Sequence, residues 1–260
     1  MSVHRDYTIE SLDTGLRLMR LFLTHDRLTV TGAAHELRVA RSTAHRVLST
    51  LVARGFAIRD VSGRGYAAGP ELVRIGRPAG FDAATRTRLR PVLDDAARRT
   101  GETVQTVALL GDQIVITDGR ESWNPVRVML EVGRTHLAHS TSGGKLLLSR
   151  LTTEQVRALY PDERLPAVTA DTITSRAALL DELDAVRARG YATSLGESHP
   201  GMHAAAVPLA GSSWRDRLAL MSCVPLDRGG RDALARLAGN LLRSAAAGGH
   251  TVTAHGNGEA

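Results

Sequence analysis

The sequence predicts two folded parts: an amino-terminal, mainly α winged helix-turn-helix domain and a carboxyl-terminal α+β domain built on an antiparallel sheet. Three observations lead there. Residues 11–55 carry three helical apolar patterns in close succession, and a short strand–turn–strand pattern follows them. Residues 81–246 instead hold two groups of strand-like segments separated and flanked by helical ones. A chain of 260 residues with 43% apolar content fills two modest cores more readily than one.

In the first part, Ser11 is placed to cap a helix whose Leu12, Leu16, Met19 and Leu23 recur at spacings of four, three and four and would face inward. Thr31 would cap a second, short helix with Ala33, Ala34 and Leu37 on its inner side. A tight turn through Arg38 and Val39 leads to a third helix, which runs from Ala40 to a stop at Gly55. Ala44, Val47, Leu48 and Leu51 form its buried stripe. Ser42, Arg46 and Ser49 then point outward with His45 beside them, and Arg41 and Thr43 lie near the helix start. Apolar Phe56, Ile58 and Tyr66 alternate with polar residues around a Ser62-Gly63 turn, giving a two-stranded wing that carries Arg59 and Arg64.

Charge separates a docking helix from an ordinary amphipathic one. Residues 1–78 hold 12 Arg against 7 Asp and Glu, whereas residues 79–260 hold 21 basic and 20 acidic side chains. Coding bias explains why Lys145 is the one lysine among 33 basic residues; it does not explain why the excess sits in the first third. A basic small domain with a cationic helix presented is the footprint of a phosphate-binding surface, and points to a nucleic-acid partner. On this reading Ser42, His45, Arg46 and Ser49 reach base edges, Arg46 being suited to guanine. Arg41, Thr43, Arg59 and Arg64 hold phosphates.

Beyond the wing, residues 70–76 read as a short helical turn and 77–80 as a linker. A helix from about Phe81, with Pro91 a candidate break, ends at Gly101. Strands at 104–110 and 113–118 flank a Gly111-Asp112 turn, and a third strand is expected at 126–132. Helices follow at 142–150, 153–160 and 175–188, then strands near 191–195, 204–209 and 218–224, then a helix over 231–246. The expected boundaries are a DNA-binding domain at 1–78, a linker helix at 79–90, a second domain at 91–247 and a disordered tail at 248–260.

The chain also excludes several classes. A single Cys223 rules out an intrachain disulfide framework or a cysteine-built zinc site. No apolar run reaches the roughly 18 residues of a membrane span, and the start MSVHRDYTIE has no signal-like core, so a cytoplasmic protein with no membrane partner is expected. Ten scattered His lack metal-site spacing, so no metal or cofactor is expected. Ser142-Gly143-Gly144-Lys145 resembles the end of a phosphate-binding loop, but His139 and Leu146 stand where that motif wants Gly and Ser or Thr. His139 and Ser140 with Asp112 or Asp118 lack a nucleophile elbow, so no catalytic residue is assigned. The run 140–144 has two other readings, a plain helix cap or a helix N-terminus open to an anion such as a carboxylate.

The order SLDTGLRLMRLF, TGAAHELRVARSTAHRVLSTLVARGF and YAAGPELVRIG resembles the amino-terminal domain of the isocitrate lyase regulator (IclR) family of bacterial transcription factors. Three further blocks, RPVLDDAARRTGETVQTVALLGDQIVITD, HLAHSTSGGKLLLSRLTTEQV and RARGYATSLGESHPGMHAAAVPL, resemble successive parts of that family's effector-binding domain. The likeness implies a ligand-responsive, DNA-binding regulator that is not an enzyme, with a GAF-like sensor domain. It implies homodimers, often paired into homotetramers, joined through the amino-terminal region and the sensor domains. It also implies an effector pocket at Ser142, Gly143, Ser194, Ala204, Met221 and Cys223. This chain departs from the family pattern there: Ser194-Leu195-Gly196-Glu197 stands where members often carry acids, and Met221 and Cys223 replace hydroxyls. A larger or more apolar effector than a two- or three-carbon acid is therefore expected, with a carboxylate or aromatic acid the leading class. The alternative is a ligand-binding sensor or enzyme domain tethered to DNA by a basic module, which would need a coherent acid-base or nucleophile set.

Overall fold

The computed structural model describes residues 9–60, 65–75, 83–209 and 218–250. The chain divides into two compact units, residues 1–79 and 80–260.

The first unit is the expected helix-turn-helix with a wing: α1 (Glu10–Leu21), α2 (Val30–Leu37), α3 (Arg41–Ala53), β1 (Ala57–Arg59), β2 (Tyr66–Ala68) and α4 (Pro70–Ile75). Leu18, Leu28, Ala33, Ala34, Leu37, Ala44, Leu48 and Leu51 form its core, closed by Ala57 and Tyr66. Both expected caps shift. Thr29, not Thr31, caps α2, its Oγ1 accepting from the Gly32 amide at 3.0 Å. In α1 the N-cap is Ile9 without a side-chain bond, so Ser11 lies inside the helix.

The inner face of α1 is also different from the one expected. Thr14 and Leu18 are buried and, of the expected face, Met19 packs half-buried against the core, whereas Leu12, Leu16 and Leu23 are 57%, 49% and 82% exposed. In the wing the alternation is out of phase by one residue, for Ala57 faces the core and Ile58 faces out. Tyr66 exchanges two 2.8 Å backbone bonds with Leu28, which pins β2 to the segment before α2. Arg64, the Ser62-Gly63 turn, the 77–80 linker and residues 251–260 lie outside the described residues.

The turn between α2 and α3 holds a backbone irregularity. Arg38 sits at φ 55°, ψ 46°, the one non-glycine residue with positive φ among those described. Its amide caps the end of α2 on the Ala34 and His35 carbonyls, while the Leu37 carbonyl accepts from Arg17 Nη2 at 3.3 Å. Glycine ordinarily fills such a position because it has no Cβ to crowd the neighbouring carbonyl.

The second unit begins with α5 (Ala83–Thr100), which the candidate break at Pro91 does not interrupt. Its sheet has the order β5-β4-β3-β8-β7-β6 and is antiparallel throughout. The strands are β3 (Thr103–Leu110), β4 (Gln113–Arg120), β5 (Thr135–Leu137), β6 (Ala192–Leu195), β7 (Met202–Pro208) and β8 (Leu218–Pro225). α5 and α9 (Arg231–Ala247) cover one face; α6 (Ser142–Leu148), α7 (Thr153–Leu159) and α8 (Arg176–Arg189) lie on the other. Ser175 caps α8 and Gly190, at φ 78°, ends it.

The strand expected at 126–132 does not form. Val128 and Leu130 do pack against the core while Met129 faces out, so the alternation is real. The backbone, however, bonds to side chains instead of a ladder. The Val128 carbonyl accepts from Thr103 Oγ1, the Val126 carbonyl from Arg228 Nη2, and the Leu130 amide donates to Glu121 Oε2. The edge strand comes later, at β5.

Relief of the left-handed strain at Arg38 gives the first prediction. Arg38→Gly should stabilise the first unit by about 0.5–1 kcal/mol, the steric relief outweighing the extra chain entropy of glycine. Chemical denaturation followed by circular dichroism measures this, and a lower midpoint for the variant would contradict it.

Candidate functional site

In the first unit, burial of Ala44, Leu48 and Leu51 fixes the rotation of α3. That rotation leaves Arg41, Ser42, Thr43, His45 and Arg46 exposed and Ser49 half-buried along one side of the helix. Among the described residues no hydrogen bond or ion pair holds the side chains of Arg41, His45 and Arg46. Arg59 is exposed on β1, its guanidinium 5.6 Å from the ring centroid of its cross-strand partner Tyr66. Arg27 and Asp60 form an ion pair of 2.5 Å at the base of the wing. The arrangement offers cations and hydroxyls on a helix that is free to enter a groove.

In the second unit, every residue of α6 is buried. Two glycines make this possible. A Cβ on Gly144 would run into the Ala138 carbonyl, and one on Gly143 would lie 2.6 Å from Val107 Cγ2 and 3.3 Å from Met221 Sδ. The sheet beneath is correspondingly small-sided. Ser194 pairs with Ala204 and Ala204 with Cys223, so the three stand side by side, with Met221 two residues along on the same face. Ser142, Gly143, Ser194, Ala204, Met221 and Cys223 are thus gathered around one end of α6.

Polar groups in this region are few. Ser194 Oγ donates to the Ser140 carbonyl at 3.1 Å, and Gln105 Nε2 donates to Cys223 Sγ at 3.7 Å. Burial pushes the Cys223 thiol up to about 12, so it stays protonated at neutral pH. Ser142 Oγ is buried and has no hydrogen-bond partner. The cap of α6 is Thr141, whose Oγ1 accepts from the Gly144 amide at 3.0 Å. Val107 and Met221 close on Gly143 from the sheet side. A cavity of about 170 Å³ lies against the other face of the sheet, lined by Glu102, Val224, Arg228, Leu234 and Leu237 among others.

His139 and Ser140 do not form a base and nucleophile. Ser140 Oγ donates to the Leu137 carbonyl at 3.0 Å. His139 Nε2 lies 2.9 Å from the Pro166 carbonyl, which can only accept, so Nε2 carries the proton and Nδ1 is a bare, unpartnered acceptor. The ring meets Tyr160 edge-on at 5.9 Å, and burial holds its basicity below the ordinary histidine value. Among the described residues no group of His, Cys, Asp and Glu is suited to a metal, and no helix is long and apolar enough to cross a membrane.

Sequence reasoning missed an ion pair beneath α6. Lys145, 2% exposed, donates from Nζ to Glu197 Oε1 at 2.6 Å and Oε2 at 2.9 Å, with Glu182 Oε1 at 3.6 Å. Burial raises the Glu197 carboxyl above the ordinary carboxylate range, and the adjacent ammonium opposes that rise. The signal that could have found it is the lone lysine of an arginine-rich chain, set in a helix that is otherwise apolar or small.

Comparison with known proteins follows the same division. Residues 11–60 match the family described as the IclR helix-turn-helix domain, and residues 82–247 match that described as the bacterial transcriptional regulator IclR C-terminal domain. The HTH-type transcriptional regulator BhcR of Paracoccus denitrificans is 34% identical over 201 residues, covering 77% of this chain and 72% of its own. The crystal structure of an IclR regulator from Alicyclobacillus acidocaldarius is similar with a TM-score of 0.72 at 28% identity, over 93% of this chain and 98% of that one. An IclR homologue from Microbacterium hydrocarbonoxydans, solved with 4-hydroxybenzoate, shares the fold with a TM-score of 0.72 at 21% identity, over 91% and 99% of the two chains.

Two tests follow from the second unit. Lys145→Met leaves Glu197 buried without its partner and should destabilise the protein by about 3–5 kcal/mol, whereas Lys145→Met with Glu197→Leu should recover most of that. Denaturant titrations of the three proteins would decide it. For His139 the folded-state basicity is depressed, so its contribution is present above about pH 6.5 and is lost as pH falls, because the unfolded chain then binds the extra proton. Melting temperatures between pH 5 and 8 should fall more steeply on the acid side for the parent than for His139→Gln. Parallel curves would refute this.

Proposed function

The chain belongs to the IclR family of bacterial transcriptional regulators, and from that membership we propose how its two units divide the work. α3 is the recognition helix. Ser42, His45, Arg46 and Ser49 read base edges, Arg41, Thr43 and Arg59 hold phosphates, and Arg64, outside the described residues, is assigned the same role from the sequence. The observation that carries this is the buried apolar stripe of α3, which commits the cationic side of the helix to the outside. Residues 1–78 are the DNA-binding domain and 91–247 the effector-binding and oligomerisation domain; the linker helix expected at 79–90 falls partly outside the described residues, and its described part, 83–90, is the start of α5.

The protein works as a homodimer or a pair of dimers. Ile9, Leu12, Leu16 and Leu23 are apolar and exposed on or beside α1, a surface that a second copy would cover. In the second unit Trp123, Val126, Met129 and Val132 offer another, Trp123 being fully exposed. Paired copies would place two recognition helices on paired half-sites of a double-stranded operator, in the cytoplasm.

The effector binds around the amino-terminal end of α6. Ser142 Oγ and the bare Nδ1 of His139 are the buried polar groups without partners there, and Val107, Ala204, Met221 and Cys223 supply apolar walls. That mixture suits an aromatic or larger carboxylic acid, and the 4-hydroxybenzoate bound by the Microbacterium homologue supports the class. Met221 is the group to move, being flexible and in contact range of Gly143. The alternative of a DNA-tethered enzyme is disfavoured by the unpaired geometry of His139 and Ser140.

Binding-site selection should recover a blurred site from Arg46→Ala, whereas Arg59→Ala should keep the site and weaken binding to all sequences alike. In a thermal-shift series, 4-hydroxybenzoate and related acids should raise Tm more than two- or three-carbon acids do. Ser142→Ala should cut the affinity for the best of them by about three- to tenfold, the net worth of one hydrogen bond. An unchanged site for Arg46→Ala, or an unchanged affinity for Ser142→Ala, would displace the corresponding assignment.

A further inference from the structure

We infer that Arg38, in the turn between α2 and α3, is a DNA-phosphate contact, and that its left-handed backbone is retained because of that contact. This rests on the reading of α3 as the recognition helix. The conformation, φ 55° and ψ 46°, suits glycine, and a side chain there is carried against a steric penalty. Such strain persists where a side chain has a use. The use is not inside the protein: Arg38 is exposed, and among the described residues no hydrogen bond or ion pair engages its guanidinium. Its backbone duties need only an amide, which any residue but proline supplies.

Position and charge indicate where the guanidinium is used. Arg38 lies three residues before Arg41, at the end of α3 that leads into a groove, and the helix before the turn of such a motif crosses the sugar-phosphate backbone. The turn therefore runs along the groove rim. From Leu37 to Arg59 the chain holds Arg38, Arg41, Arg46, Arg54 and Arg59 and no acidic residue, and the nearest carboxylate in sequence, Glu36, makes no ion pair with Arg38 among the described residues. A planar, permanently charged guanidinium can hold phosphate oxygens in a bidentate fashion. Phosphate contacts set register and carry no sequence information, so Arg38 adds affinity and leaves site preference alone.

The test uses the full-length protein, one duplex recovered by binding-site selection with the parent protein, and one random-sequence duplex. Anisotropy titrations over a series of potassium chloride concentrations are run for the parent, Arg38→Gly, Arg38→Lys and Arg46→Ala, with melting curves alongside. Arg38→Gly is expected to bind both duplexes about five- to tenfold more weakly and to flatten the log–log salt slope by about one per protomer, while melting higher than the parent. Higher stability with weaker binding excludes unfolding as the cause. Arg38→Lys keeps the charge and should keep the slope. Equal slopes for the parent and Arg38→Gly overturn the inference, as does an Arg38→Lys slope as flat as that of Arg38→Gly. If Arg46→Ala weakens selected-duplex binding while Arg38→Gly changes nothing, Arg38 alone is misassigned. If neither variant affects binding, the reading of α3 itself fails.

Discussion

A short helix with no exposed side is the constraint around which the second unit is arranged. α6 is only seven residues long, yet all of them are buried, and one is a lysine. A buried ammonium must be neutralised and hydrogen-bonded, because desolvation of an unpaired ion is worth several kcal/mol. Glu197 answers this from the segment between β6 and β7, and Glu182 answers it more distantly from α8 while itself pairing with Arg189 at 2.7 Å. Gly196, at φ 76°, turns the chain that brings Glu197 in, and Thr172 Oγ1 donates to the Glu197 carbonyl at 2.7 Å. One charge thereby fixes α6, α8 and the β6–β7 connection relative to one another. An apolar trio of similar volume would hold them together as well, but without specifying direction. Any movement of α6 must therefore carry this network with it or break it.

The same burial dictates the sheet surface below. A helix can approach its neighbours this closely only where it carries no bulk, and here Gly143 faces Val107 and Met221 of the sheet while Gly144 faces the Ala138 backbone. The small side chains of Ser194, Ala204 and Cys223 stand side by side on the same sheet. Interiors are packed to the density of organic crystals, so a guest here must displace something. Among these neighbours Met221 is the unbranched and polarizable one, able to change rotamer with the least loss of contact. β8, which carries Met221 and Cys223, is also the strand that joins β3 to β7 and so unites the two halves of the sheet.

Much of this was legible in the sequence where a single pattern had a single use. The stripe of α3 and the Ala33, Ala34 and Leu37 face of α2 each had one core to face, and the structure packs them there, with Val47 half-buried. The segment 126–132 was illegible for a different reason. Its alternation of Val128 and Leu130 with Met129 is that of a strand, but strand formation also needs a free neighbouring edge, and Thr103, Glu121 and Arg228 take its backbone groups instead. Periodicity records which side chains face inward, not where the backbone bonds go. The Lys145–Glu197 pair joins residues 52 apart in sequence, and no local spacing announces it.

α1 and Arg38 expose a further limit, and it is the same limit in both places. Leu12, Leu16 and Leu23 repeat as an apolar face should, yet they are exposed, and the core is served by Leu18 with Thr14 beside it. The helix carries two usable stripes, and sequence period alone cannot say which one belongs to the chain's own core. At Arg38 the local rule asks for glycine and the chain supplies the bulkiest cation. In each case the isolated unit is left worse off, with apolar surface in water or with a crowded backbone. Sequences agree with their folds at every level except where selection acts on something outside the fold. Two such exceptions in one small basic domain, one apolar and one cationic, are what a unit shaped by a second copy of itself and by a phosphate backbone should carry.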